Sequence, residues 1–216
     1  YDKNYVGFFS VVGGTIKNLG VKGSVTNASG GSVGLLAGYL GQANQTSLIE
    51  NCFAEGTVTA TSSGTAGGAA VLVGTQTQAH SIIRNCYSKG SVTNTSGYYT
   101  GGILGRTSTR QATLTNCYST ANVNGQMYTG GVIGQIYGEN VSNCYATGTV
   151  TGSEFIGGVA GRVFGTTTAN NGKATGFVAL NPSVNASIGS VGRVCGEIAS
   201  VSSGDKLYGL ETTTVN

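Results

Sequence analysis

Ile83-Arg84-Asn85-Cys86-Tyr87-Ser88-Lys89-Gly90-Ser91-Val92-Thr93 decides the fold, because the chain writes this phrase repeatedly. It returns at Ile49 to Thr59, Leu114 to Asn124 and Val141 to Thr151. Its centre, Asn-Cys-aromatic-Ala/Ser, stands at 51–54, 85–88, 116–119 and 143–146. A weaker copy runs from Ile16 to Thr26, with Leu19 where the others carry Cys. Starting at Asn18, the steps from Asn to Asn are 33, 34, 31 and 27 residues, so one repeat is about 30 residues long.

Within the phrase a strict period of two cannot hold Ile83, Cys86 and Ser88 on one face. A bend at Asn85 between two short strands resolves this: Ile83 faces inward before it, and Cys86 and Ser88 after it. Val92 then lies inward on a third segment, and Tyr87 points out. Asn suits such a bend because it tolerates left-handed backbone angles.

A second phrase alternates with the first. Tyr99-Thr100-Gly101-Gly102-Ile103-Leu104-Gly105 matches Tyr128 to Gly134 and Phe155 to Gly161, with looser copies at Ser32 to Gly38 and Ser190 to Gly196. An Ala-rich variant from Thr65 to Gly74 occupies the same slot. A repeat of this size cannot bury its own apolar side, so neighbours must stack. The expected fold is all-β, a parallel β-solenoid of about six coils in one repeat domain over 1–216. The coils fall at 5–38, 39–74, 75–105, 106–134, 135–161 and 162–196, and 197–216 is expected to cap the end.

Composition agrees. Of 216 residues 38 are Gly, one is Pro and none is Trp, without the three-residue period of collagen. Hydrophobics at 39% and eleven Tyr argue against disorder. Net charge is only +3 with no basic run, which argues against a nucleic-acid partner. No stretch reaches the roughly 20 apolar residues of a spanning helix, so no membrane insertion of this segment is expected. The chain opens on Tyr1 in mid-repeat and reads as a piece of something longer.

The Gly-Gly-aliphatic-aliphatic-Gly strands and the phrase Asn143 to Gly152 resemble the GLUG-repeat family of bacterial surface proteins, over roughly Tyr5 to Gly196. The resemblance implies a non-catalytic module of a secreted or surface protein, adhesin-like or a stalk. Such repeats also accompany immunoglobulin-cleaving metallopeptidases, whose His-Glu-x-x-His zinc site has no counterpart here, since His80 is followed by Ser81 and Ile82.

Candidate residues follow from the register. Cys52, Cys86, Cys117 and Cys144 share one position and form a line, whereas a zinc site needs four converging ligands. Buried free thiols are the favoured reading, with disulfides and a metal site as the alternatives. Asn18, Asn51, Asn85, Asn116 and Asn143 should form a ladder, buried at one bend, with amides bonded along the axis. Phe53, Tyr87, Tyr118 and Tyr145 should form an outward column; rings that stack on one another and shield the sheet are the favoured reading, with binding of sugar rings or of a partner's apolar surface as the alternative. Tyr5, Tyr99, Tyr128 and Phe155 make a second column before the Gly pair.

Acids are scarce, with eight in all. Lys17, Glu50 and Arg84 share one repeat position and Lys22, Glu55 and Lys89 another, which predicts two alternating charge ladders. Glu139 and Glu154 fall outside the phrases and are the residual catalytic candidates. The Ser/Thr/Asn pairs flanking each inward Val resemble an ice-binding row that Asn122 and Asn124 interrupt. No cofactor and no metal are expected. The partner expected is a glycan or a host or cell-surface protein, outside the cell. Two other readings stay open: a polysaccharide-active β-helix enzyme, and an accessory repeat region of a secreted peptidase.

Overall fold

The computed structural model describes residues 4–28, 30–61, 67–78, 80–108, 111–138, 140–165, 172–199 and 202–216. These residues form 32 strands and no helix. The strands pair in parallel with their counterparts one repeat away, which makes the chain a parallel β-solenoid. Four sheets run along it. The fourth coil shows the order: Tyr99–Gly101 in sheet A, Leu104–Thr107 in sheet B, Thr113–Thr115 in sheet C, then Tyr118–Ser119 and Asn122–Asn124 in sheet D.

Sheets A, B and C hold seven strands each. The segment expected to cap the end forms a further rung: Ser203–Asp205, Tyr208–Gly209 and Thr214–Val215 all pair with the coil before them. The reason is visible at the bends. Asn18, Asn51, Asn85, Asn116 and Asn143 have φ between 54° and 55°, and Gly176 at 67° and Lys206 at 53° occupy the two following bends. The geometry needs a left-handed residue, not an Asn.

The residue after each bend turns into the core. Cys52, Cys86, Cys117 and Cys144 are at most 2% exposed, and Phe177, the largest fully buried side chain among the described residues, fills the same slot in the sixth coil. Ile83, Ser88, Val92 and Ile103 are all fully buried, as the alternation requires. Tyr87–Asn94 is one continuous strand, not two segments, with Gly90 at φ 115°. Val58, Val92, Val123, Val150 and Val184 continue the inward row.

Sheets A and B lie back to back at the double-glycine corner. A Cβ on Gly134 would stand 2.5 Å from the carbonyl oxygen of Gly105 and 2.5 Å from the amide nitrogen of Thr100. Only glycine lets two backbones approach this closely. The tight corner forces the side chains flanking it outward, and there they face one another across a cleft.

Candidate functional site

The ladders of sheets C and D are self-complementary. Among the Asn side chains, Asn51 donates to Asn18 at 3.3 Å, Asn116 to Asn85 at 3.3 Å and Asn143 to Asn116 at 3.2 Å. All five are exposed, contrary to the expected burial. The bend is convex, so its apex faces water while the next residue turns in. Exposure leaves the register intact, because the bend is chosen by backbone angle and not by amide satisfaction.

The Cys column explains its own residue type. Each thiol donates to the carbonyl two residues earlier, from Cys52 to Glu50, Cys86 to Arg84, Cys117 to Thr115 and Cys144 to Ser142, at 3.1–3.2 Å. A small apolar side chain with one weak donor fits that position. Burial pushes the Cys144 thiol up to about 12. The thiols are free, and among the described residues no group of His, Cys, Asp and Glu is placed to hold a metal.

Phe53, Tyr87, Tyr118 and Tyr145 form the expected column, with centroids 4.9, 5.2 and 4.8 Å apart and planes within 10°. Such spacing leaves no room for a sugar between rings. At the first end Phe53 lies over Gly20, where a Cβ would fall 2.1 Å from the ring, and Lys22 sits 5.9 Å from its centroid. The column therefore presents ring edges and hydroxyls outward, not faces.

Charges alternate as the register predicts. Glu50 bonds Lys17 at 2.9 Å and Arg84 at 2.6 Å, and Glu55 bonds Lys22 at 2.8 Å. Hydrogen bonds from Lys17 and Arg84 hold the Glu50 carboxyl below its ordinary range, and the Lys22 ammonium does the same for Glu55. Glu154 lies at the start of a sheet A strand, in register with Met127. Glu139 falls outside the described residues.

The second aromatic column builds something different. Tyr99, Tyr128 and Phe155 stack at 5.6 and 5.3 Å. Tyr5 stands apart and packs on Tyr39, because Ser32 and Gly68 take its place in the next two coils. Tyr128 and Phe155 hold φ values of 46° and 55°, an uncommon conformation for bulky residues that costs about 1–3 kcal/mol. Opposite them, on sheet B, Arg106, Gln135, Arg162 and Glu197 form one row. Arg106 lies 4.8 Å from the Tyr99 ring centroid. Arg162 lies 5.0 Å from Tyr128 and 4.1 Å from Phe164, donates to the Tyr128 hydroxyl at 3.3 Å and pairs with Glu197 at 2.5 Å. Burial raises the Tyr128 phenol, opposed by the Arg162 charge.

Between the rows runs a cleft of about 400 Å³, walled also by Tyr98, Tyr137 and Thr107. That is within the range of small-ligand sites. It offers guanidinium, amide and hydroxyl groups beside aromatic rings, which is recognition chemistry. Sequence reading named the aromatic column but not the arginines. The available signal was the slot after the last Gly of each double-glycine phrase, occupied by Arg106, Gln135 and Arg162.

A family model described as the GLUG motif matches residues 29–59, 96–124 and 125–151. The chain carries GLUG repeats. Each match starts just before a sheet A strand and ends in sheet D, so one GLUG motif is one rung. The GLUG rungs at 96–124 and 125–151 supply Tyr99, Arg106, Tyr128 and Gln135 of the cleft. The fold is similar to a crystal structure of a Bacteroides ovatus protein described as a candidate immunoglobulin A1 protease, at 21% identity and a TM-score of 0.59. The alignment covers 94% of this chain and 59% of that one, so this chain spans about three fifths of its neighbour. None of the curated proteins matches it.

Proposed function

We propose that this chain is a non-catalytic repeat module of a secreted or cell-surface bacterial protein, adhesin-like in binding a glycan or a host or cell-surface protein. The observation that carries this reading is the fate of the acids. Glu50, Glu55 and Glu197 are each committed to a cation on a neighbouring rung, which suits ladder building and not acid–base work. Catalytic pairs need two carboxyls close together whose environments drive their protonation apart. The Tyr–Arg cleft supplies the recognition surface that an adhesin-like module requires. Nucleic acid and membrane insertion are not part of the proposal.

The test is a broad polysaccharide and peptide turnover screen on the purified chain. No turnover is expected. Activity abolished by Glu139→Gln or Glu154→Gln would overturn the reading. A second reading, an accessory region of a secreted peptidase, is favoured by the description of the Bacteroides ovatus neighbour. Deleting this region from the full-length gene product and measuring immunoglobulin cleavage separates the two.

A further inference from the structure

Along the rungs, outward side chains are matched to their neighbours: rings to rings, Asn to Asn and acid to base. In the cleft the matching is incomplete. Arg162 is neutralised by Glu197, but among the described residues no carboxylate lies within ion-pairing distance of Arg106. Arg106 is held against the Tyr99 ring, which fixes the guanidinium plane and leaves its fork of donors pre-oriented. One rung on, Gln135 adds an amide, and two rungs on, Arg162 closes the row. Rung spacing of about 4.8 Å puts the two arginine backbone positions roughly 10 Å apart along the axis.

We infer that the Tyr99–Arg106–Gln135–Tyr128 cleft binds an acidic sugar of an extended glycan, its carboxylate on Arg106 and its ring hydroxyls on Gln135 and the tyrosine hydroxyls. The inference rests on the non-catalytic binding reading and names its ligand class. Three features favour a sugar over an acidic peptide. The walls carry hydroxyl-bearing side chains, those of Tyr98, Tyr128 and Tyr137. Of the two arginines lining the cleft, only Arg106 has no carboxylate partner among the described residues, enough for one carboxylate and not for a run of them. Amide and guanidinium planes stand beside aromatic rings, which suits a ligand with polar rims and apolar faces.

The probes are a tetragalacturonate, its fully methyl-esterified form, 3′-sialyllactose, lactose and a poly-glutamate peptide, each titrated calorimetrically into the chain. Binding is expected for either or both of the two acidic sugars, which tells uronic from sialic acid. The methyl ester should bind about tenfold more weakly than its acid, and rising salt should weaken the acid further. Arg106→Gln should reproduce the ester's loss with an unchanged thermal melt, and Arg106→Lys should recover part of it. Gln135→Ala gives a second, milder loss should Arg106→Gln melt early. Equal affinity for acid and ester, binding of poly-glutamate alone, or no binding to either acidic sugar would each overturn the inference. Depolymerisation of bound tetragalacturonate would instead refute the non-catalytic reading while upholding the ligand class.

Discussion

Replacing Gly134 by Ala tests the back-to-back packing of sheets A and B. The new methyl would stand 2.5 Å from the Gly105 oxygen, 2.5 Å from the Thr100 nitrogen and 2.6 Å from the Tyr128 oxygen. Ordinary contacts begin near 3.4 Å, so three backbone atoms must each retreat by about 0.8–0.9 Å. None is a side chain that can rotate away. Overpacking of this kind costs about 3 kcal/mol, against which the lower entropy of an unfolded Ala returns about 0.4–1 kcal/mol. A net loss of about 2–3 kcal/mol should lower the urea midpoint by about 1 M at a slope near 3 kcal/mol/M. Gly14→Ala is the internal control, since a Cβ there meets nothing within 4 Å and the angle is ordinary. It should leave the midpoint unchanged or slightly raised. Equal midpoints for Gly134→Ala and wild type, or equal losses in both variants, would refute the packing argument.

Phe177→Ala empties the largest buried side-chain site and should cost about 3–5 kcal/mol in the same titration; a loss under 1 kcal/mol would mean the sixth coil collapses to fill it. Asn116→Gly should be nearly neutral and Asn116→Ala should lose about 1 kcal/mol, because the exposed Asn serves the left-handed bend; the opposite ranking would restore importance to the amide ladder. Cys52, Cys86, Cys117 and Cys144 should resist a thiol reagent in the native state and react on unfolding, and rapid native labelling would contradict their burial. The same burial sets an alkaline limit. Cys86, chiefly through its hydrogen bond with Cys117, and Cys144, through burial, are raised from 9.0 to about 12. Unfolded thiols release protons above 9.0 while the folded ones keep theirs, so the contribution is intact below 9.0 and lost as pH rises towards 12. Each thiol should contribute a slope of about 1.4 kcal/mol per pH unit there, and a urea midpoint flat to pH 10.5 would exclude it.

The fold was legible because five bends advertise themselves as Asn and four of those are followed by Cys. Periodicity then placed Ile83, Cys86, Ser88 and Val92 inward, and all are buried. The last two bends were not legible, since Gly176-Phe177 and Lys206-Leu207 satisfy the same backbone and volume requirements with other letters. Outward faces are read less easily than inward ones. Alternation says that Tyr87 and Tyr128 both point out, but not that one column closes on itself while the other meets arginines. That difference comes from the close approach of sheets A and B, which the glycines permit and no single repeat encodes.

The axial direction of the hydrogen bonds has a mechanical consequence. A pull on the two ends of this chain draws the terminal rung away from its neighbour one strand at a time, a peeling load borne by few bonds at once. A rung of about 30 residues then lengthens to about 100 Å of extended chain, while the rungs behind it keep their core. Under tension the solenoid would therefore give way in discrete steps and re-form as tension falls. A segment built in this way is extensible, absorbing a tug by surrendering its outermost coil.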